Sequence, residues 1–301
     1  MISVSSTAQM LGALRTARDV TFAAYFLKGG TIVEGLKQAA KRGAHVQVRL
    51  DGALYGGTAR WSAESHKIAR TLRRYGADVT FLHLRKHDGP GLHIKAAVCD
   101  GAAFLDDCNW ARGGDTVMRD DTPAHVRAIR AAVLQREGSG IGGLALTKDA
   151  ALKAESHVLR RRSRSGTVEV ETEELGASKV SQALRDLLAH HVHCRVLVSE
   201  WAVKNANHRT HDAALSLEKA GAEVRMAKTS EKIAVAGARA WIGSANATSP
   251  YFNGGDIDWS LTTADPYIIR GLKSHFANHW RASLPIPKTP ENPKVVANSR
   301  R

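Results

Sequence analysis

The chain repeats itself, and the repeat restricts it to a fold that each half can adopt. Lys95 and Asn109 are 14 residues apart, and so are Lys232 and Asn246. Upstream of each lysine lies the same short element, Gly76-Ala77-Asp78-Val79 in the first half and Gly221-Ala222-Glu223-Val224 in the second. What leads to that element also recurs in one order. Asp19 to Phe26 is strand-like, a helical pattern runs from about Ile32 to Lys41, and His45 to Asp51 alternates as a half-buried strand does. A helix is expected from Trp61 to Tyr75. In the second half, a strand at Gly166 to Val170, a helix at Ser178 to His190, a strand at Cys194 to Val198 and a helix at His211 to Ala220 repeat the series. Strands alternating with helices of this length imply layered α/β structure with a parallel or mixed sheet in each unit. The 301 residues have room for two units of roughly 140 residues, each with a core.

The residues around the repeated lysine carry the chemistry. His93 and Lys95 stand two apart on an expected strand, so an imidazole and an ammonium project from one face and can converge on one phosphate. Asp100 follows five residues after Lys95, and Asn109 nine after that. This HxKxxxxD pattern with its trailing Asn resembles the motif of the phospholipase D superfamily. The resemblance spans about Ala17 to Trp280 and implies two tandem phospholipase D-like α/β repeats, packed as a pseudo-twofold dimer with both motifs at one cleft. It implies phosphodiester cleavage through a phosphohistidine on His93, with no cofactor and no metal, and Lys95, Asp100 and Asn109 completing the catalytic set. Lys232, Ser244 and Asn246 of the second copy are then expected to bind phosphate. Family members also place an acidic residue against the catalytic histidine. Aligning Arg112-Gly113-Gly114-Asp115 with Asn253-Gly254-Gly255-Asp256 makes Asp115 the candidate, with Asp120 second.

Each copy departs from the pattern. The first has Asp106-Asp107 where the family shows Gly-Ser. The second keeps Gly243-Ser244 but has Ser230 at the histidine position and Gly237 at the aspartate position, and reads as chemically disabled. The family uses a second histidine as general acid, so its loss leaves three explanations. His87, Asp107 or Glu231 replaces it, two chains contribute a His93 each, or catalysis is lost. The internal pseudo-dimer already fills the face that a second chain would use, which favours a composite site with one histidine.

Composition narrows the partner. Lysine and arginine number 43 against 29 acidic residues, leaving a net charge of +14, which favours polyanions. Nucleic acid, DNA or RNA, is the leading partner and a nuclease the leading function. An anionic phospholipid, with hydrolysis or phosphatidyl transfer, is the alternative, and a silent module binding nucleic acid or protein is another. The N-terminus lacks the apolar core of a signal peptide and no run is long enough to span a bilayer, so a cytoplasmic protein is expected, a monomeric pseudo-dimer or a homodimer. Cys99, Cys108 and Cys194 fit neither a disulfide framework nor zinc spacing and read as packing residues. His190, His191 and His193 lack partner ligands for zinc. The tryptophans read as core, and only one exposed near the cleft would count toward nucleic acid.

The division expected is a first repeat over 1–137, a linker with a basic run over 138–165, a second repeat over 166–283 and a Pro-rich basic tail over 284–301. The linker contains Gly138 to Gly143 and the charge run Arg160 to Arg164, the best candidate for phosphate-backbone contact. Gly76 to Lys95 takes 19 residues and Gly221 to Lys232 takes 11. The first copy thus carries an extra loop, Leu82 to Gly91, whose Arg85, Lys86 and His87 are suited to a basic lip beside the site.

Overall fold

A computed structural model describes residues 1–54, 59–82, 91–110, 116–135, 138, 140–161, 166–205, 208–249 and 256–289. Asp115, the expected lip at Arg85 to His87, the end of the basic run and the last twelve residues of the tail lie outside them.

Each repeat builds one sheet. The strands of the first unit are β1 (Ile2–Ser5), β2 (Asp19–Ala24), β3 (His45–Asp51), β4 (Asp78–Leu82), β5 (Ala96–Cys99), β6 (Ala102–Asp106) and β7 (Val117–Asp120). Their order across the sheet is β1-β7-β6-β5-β2-β3-β4. The second unit adds β8 (Leu144–Ala145), β9 (Val168–Thr172), β10 (Cys194–Ser199), β11 (Glu223–Ala227), β12 (Ile233–Ala236), β13 (Arg239–Gly243), β14 (Ser260–Thr263) and β15 (Leu284–Pro285). These run β15-β11-β10-β9-β12-β13-β14-β8. Three strands in each sheet are parallel, β2-β3-β4 and β9-β10-β11, because helical crossovers join them. The rest pair antiparallel, β5 with β6 and β12 with β13 across short turns.

Side-chain alternation explains how the sheets meet. On β5, Ala96 and Val98 face a core shared by both units, and Ala97 and Cys99 face a core under the helices of the first unit. On β12, Ile233 and Val235 enter the shared core while Ala234 and Ala236 face the helices of the second unit. Both faces of these strands are therefore buried, which is why the sequence reads there as unbroken apolar runs. Ile94, Leu105, Ile242, Trp259 and Leu261 fill the shared core. The face that a second chain would need to supply another His93 is thus occupied by the second unit.

The helices fall close to expectation, at Thr31–Lys41, Ala59–Arg74, Lys179–Ala189 and Arg209–Lys219. The stretch 138–165 differs from a plain linker. It holds β8, paired with β14, and a helix at Lys148–Arg160 capped by the Thr147 side chain. Ala151, Leu152, Val158 and Leu159 of that helix are buried in the core of the second unit, and their spacing marks one apolar face. The expected tail begins as structure too, since Leu284 and Pro285 pair with β11. Among the described residues, no helix is long and apolar enough to cross a membrane.

Candidate active site

His93 is held by its backbone before its side chain does anything. Three successive amides in the segment leading into β5 are tied down. Gly91 N–H donates to Asp256 Oδ1 at 3.1 Å, Leu92 N–H to Asp51 Oδ2 at 2.7 Å and His93 N–H to the Ile257 carbonyl at 2.9 Å. Two of these acceptors belong to the second unit. The same crossing carries Asp258 to His93, with Nδ1 donating to Asp258 Oδ1 at 2.7 Å. Ser244 Oγ donates to the same carboxylate oxygen at 2.6 Å and accepts the Trp259 N–H at 3.0 Å. A proton fixed on Nδ1 leaves the lone pair on Nε2, which lies 2.9 Å from Lys95 Nζ.

Electrostatics suit a nucleophile. Burial and the neighbouring Lys95 charge hold the His93 imidazole below its ordinary value, opposed by Asp258, so the ring is neutral at neutral pH. Burial and the charge of Lys232 bring Lys95 down to about 8. Burial alone would raise Asp258, but the facing His93 and Lys95 outweigh it and keep the carboxylate ionised. Lys232 goes the opposite way from Lys95. Burial pulls it down, and its ion-pair partner Glu173 leads the neighbours that more than compensate, leaving it raised and charged.

A cleft of about 350 Å³ opens above the pair, lined by His93, Asn109, Ser230 and Asn246 from the two motifs. Tyr25, Phe26 and Trp61 line it from the first unit and Trp201 from the second. Tyr25 meets His93 edge to face at 5.3 Å, and Phe26 stacks on Trp61 at 4.8 Å. Trp201 is 53% exposed, so one tryptophan meets the condition for a base platform. Lys28 and Lys148 bring positive charge to the lining, with Asp51, Glu173, Glu174 and Asp256 as its acids.

The structure sorts the expected residues. His93, Lys95, Asn109 and Asn246 come together, and the Oδ1 atoms of both asparagines are buried with no hydrogen-bond partner among the described residues. Lys232 sits beneath the cleft, its Nζ donating to the carbonyls of Ser230 and Asp107 and pairing with Glu173 at 3.2 Å. Ser244 is fully buried behind Asp258 and positions it, rather than reaching phosphate. Asp120 serves His125 at 2.6 Å instead of His93.

Asp100 is not at the site. It lies at the far end of β5, roughly 16 Å of extended chain from Lys95. There it takes a left-handed turn conformation with φ 51°, and its Oδ1 accepts the amides of Arg18 and Asp19. Gly237 occupies the same turn with φ 64°. Asp and Gly both tolerate that conformation, so the change from Asp100 to Gly237 keeps the turn and removes no chemistry.

Asp258 was missed by two residues and one unit. Sheet register pairs Asp106 with Val117 and Gly243 with Ser260. Counting back, the counterpart of Asp115 is Asp258, not Asp256, and the pseudo-twofold delivers it to the histidine of the other copy. Cys108, expected to pack, lines the cleft, and its Sγ accepts from Ser230 Oγ at 3.2 Å. Ligand-type atoms of Asp107, Cys108 and Glu231 lie within 4.8 Å of one another. Each residue is engaged by the protein, Asp107 by the Lys232 amide, Cys108 by Ser230 and Glu231 by the Thr116 amide.

No protein-family model matches the chain, and no curated protein matches it. Solved structures do. A polyphosphate kinase from Porphyromonas gingivalis superposes with a TM-score of 0.64 at 14% identity, over 93% of this chain and 47% of the kinase. The chain thus spans about half the length of that enzyme. A phosphatidylserine synthase from Haemophilus influenzae Rd KW20 superposes with a TM-score of 0.66 at 11% identity, over 95% of this chain and 87% of the synthase. The fold is thus shared with these two enzymes, two units around one cleft.

Proposed function

We propose that the protein is a phosphodiesterase that attacks phosphorus with His93 and that its substrate is nucleic acid. The observation that carries the chemistry is the His93–Asp258 pair, with Nδ1 on the carboxylate and Nε2 beside Lys95 in the cleft. Nε2 bonds to phosphorus as the ester oxygen leaves, and water then cleaves the phosphohistidine. Asp258 stabilises the ring as it becomes cationic. Lys95, Asn109 and Asn246 are arranged to hold the non-bridging oxygens, and Lys232 adds charge from below.

Three observations support nucleic acid. The net charge of +14 attracts a polyanion to the molecule as a whole. Of the four acids lining the cleft, Asp51 and Asp256 accept backbone amides and Glu173 pairs with Lys232. The exposed Trp201 offers an aromatic face at the cleft, worth about 1–3 kcal/mol to a stacked base. The test is hydrolysis of bis(p-nitrophenyl) phosphate and of labelled single- and double-stranded DNA and RNA by wild type and His93→Ala. Cleavage of nucleic acid that disappears with His93, in a folded variant, is the expected result. Unchanged cleavage in His93→Ala refutes the assignment, and hydrolysis of the small ester alone refutes nucleic acid.

A further inference from the structure

The pseudo-twofold axis pairs His93-Ile94-Lys95 with Ser244-Ala245-Asn246 in one half-site, and Ser230-Glu231-Lys232 with Asp107-Cys108-Asn109 in the other. The motif geometry is the same in both, since the Asp106 amide donates to the Lys95 carbonyl at 3.0 Å and the Gly243 amide to the Lys232 carbonyl at 3.1 Å. The side chains are exchanged. Where the first half-site has His93, Ile94, Ser244 and Ala245, the second has Ser230, Glu231, Asp107 and Cys108. One imidazole has gone, and two carboxyls and a thiol have come, all close together.

That arrangement burdens the fold. A buried carboxyl without adequate partners costs stability, and here two share one space. Asp107 is fully buried, its Oδ1 has no hydrogen-bond partner among the described residues, and the same holds for Glu231 Oε2. The groups facing Asp107 are Glu231, Asp106, Lys232 and Cys108. Burial, Glu231 and Asp106 push its carboxyl well above the usual range, against Lys232. Burial also raises Glu231, but His275 and Thr116 bring it below its ordinary value. Two buried carboxyls whose oxygens lie within 4.8 Å of each other favour sharing a proton, and the surroundings of Asp107 favour holding it there.

Resting on the phosphodiesterase reading, we propose that Ser230, Cys108 and Asp107 form a rebuilt proton-donating half-site that supplies the leaving-group proton a second histidine would otherwise give. Ser230 Oγ lines the cleft at the position matching His93 and lies 3.2 Å from Cys108 Sγ. As the Nε2–P bond forms and the P–O bond breaks, the departing oxygen takes the Ser230 proton. Ser230 takes the thiol proton of Cys108, and Cys108 takes the carboxyl proton of Asp107, leaving a carboxylate. When water attacks the phosphohistidine, its proton returns along the same route, so the cycle closes with no net change in the protein. Ser230 is the catalytic residue, and Cys108 and Asp107 act through it. A second path joins the store to solvent. Glu231 lies 3.1 Å from His275 Nε2, whose ring meets that of His279 at 4.4 Å, and both side chains are partly exposed.

The leaving group tests this. A p-nitrophenolate departs without a proton, whereas a nucleoside alkoxide needs one. The measurement is the ratio of kcat/KM for thymidine 5′-p-nitrophenyl phosphate to that for a thymidine dinucleotide, in wild type, Asp107→Asn, Ser230→Ala and Ser230→Thr. Losing the proton donor raises the ratio about a hundredfold in Asp107→Asn and Ser230→Ala, and the retained hydroxyl of Ser230→Thr brings it back toward wild type. A ratio that stays at the wild-type value in both Asp107→Asn and Ser230→Ala, with both activities falling together, overturns the proposal and leaves these residues a structural role. If Asp107→Asn fails to fold, Ser230→Ala at the cleft wall decides alone. Turnover of neither ester by wild type is a different result, because it defeats the phosphodiesterase reading itself.

Discussion

Asp258→Asn isolates what the buried carboxylate contributes to His93. The change preserves side-chain shape at a fully buried position and removes one charge. In the resting enzyme that carboxylate faces a neutral ring. Once Nε2 bonds to phosphorus the ring is cationic and its charge faces Asp258 across a 2.7 Å hydrogen bond. With charge centres roughly 4 Å apart and an effective dielectric of about 20, the attraction is about 4 kcal/mol. A transition state that has developed most of this charge loses about 3 kcal/mol, roughly two powers of ten in kcat/KM. The tautomer adds to the loss, since an Asn amide that donates to Nδ1 places the ring proton on Nε2 and removes the attacking lone pair. A hundredfold fall is therefore the lower bound. The assay is kcat/KM on thymidine 5′-p-nitrophenyl phosphate, where no acid is required, alongside circular dichroism for folding and ¹⁵N NMR of the imidazole for the tautomer. A folded variant that loses less than about tenfold would falsify the claim that Asp258 orients and stabilises the nucleophile.

Three further outcomes are expected. Activity requires the Lys95 ammonium, whose value is brought down to about 8, and the neutral form of His93, which is held below 6.5. The pH profile therefore falls as pH rises through about 8 and holds on the acid side to below the ordinary histidine range; an alkaline limb near the usual lysine value contradicts this. Glu155 is buried on the helix Lys148–Arg160 with its pKa raised well above 4.5 by burial alone. A carboxyl raised in the folded state loses stability as pH climbs from its unfolded value toward its folded one, so Glu155→Gln should raise Tm by about 2–4 °C at neutral pH. The gain should vanish near pH 4, and a gain independent of pH counts against burial as the cause. A Cβ on Gly243 would lie 2.5 Å from the Trp259 carbonyl and 2.7 Å from Ser260 Cβ. Backbone must move to admit it, so Gly243→Ala should cost about 3 kcal/mol or more in urea unfolding, and an unchanged midpoint would contradict the packing.

Much of this fold was legible because its central strands and helices are written twice. His45 to Asp51 alternates, Gly76 and Gly221 end helices before matching strands, and Lys95 and Lys232 fix the register of β5 and β12. That His93, Lys95 and the two asparagines come together followed from the same repetition. Asp258 did not, because a repeat aligned by sequence gives no account of which copy serves which histidine, and two extra residues before β14 shifted the match to Asp256. Asp100 misled for another reason. A motif records which residues recur, and a residue can recur because a turn needs a left-handed backbone. The role of Cys108 was hidden because small thiols on strands are commonly packed, and only its contact with Ser230 distinguishes it.

The hydrogen bond between His93 and Asp258 closes a loop of 165 residues. His93 and Asp258 come from halves that each own a sheet and a core, so neither half alone contains the pair on which the proposed chemistry rests. During refolding, secondary structure and both outer cores can mature while the chain is still inert, and turnover begins only when the two sheets dock and the shared core forms. On the proposed chemistry, recovery of turnover times the docking step, and any lag behind the far-ultraviolet signal is the interval between forming secondary structure and docking the two sheets.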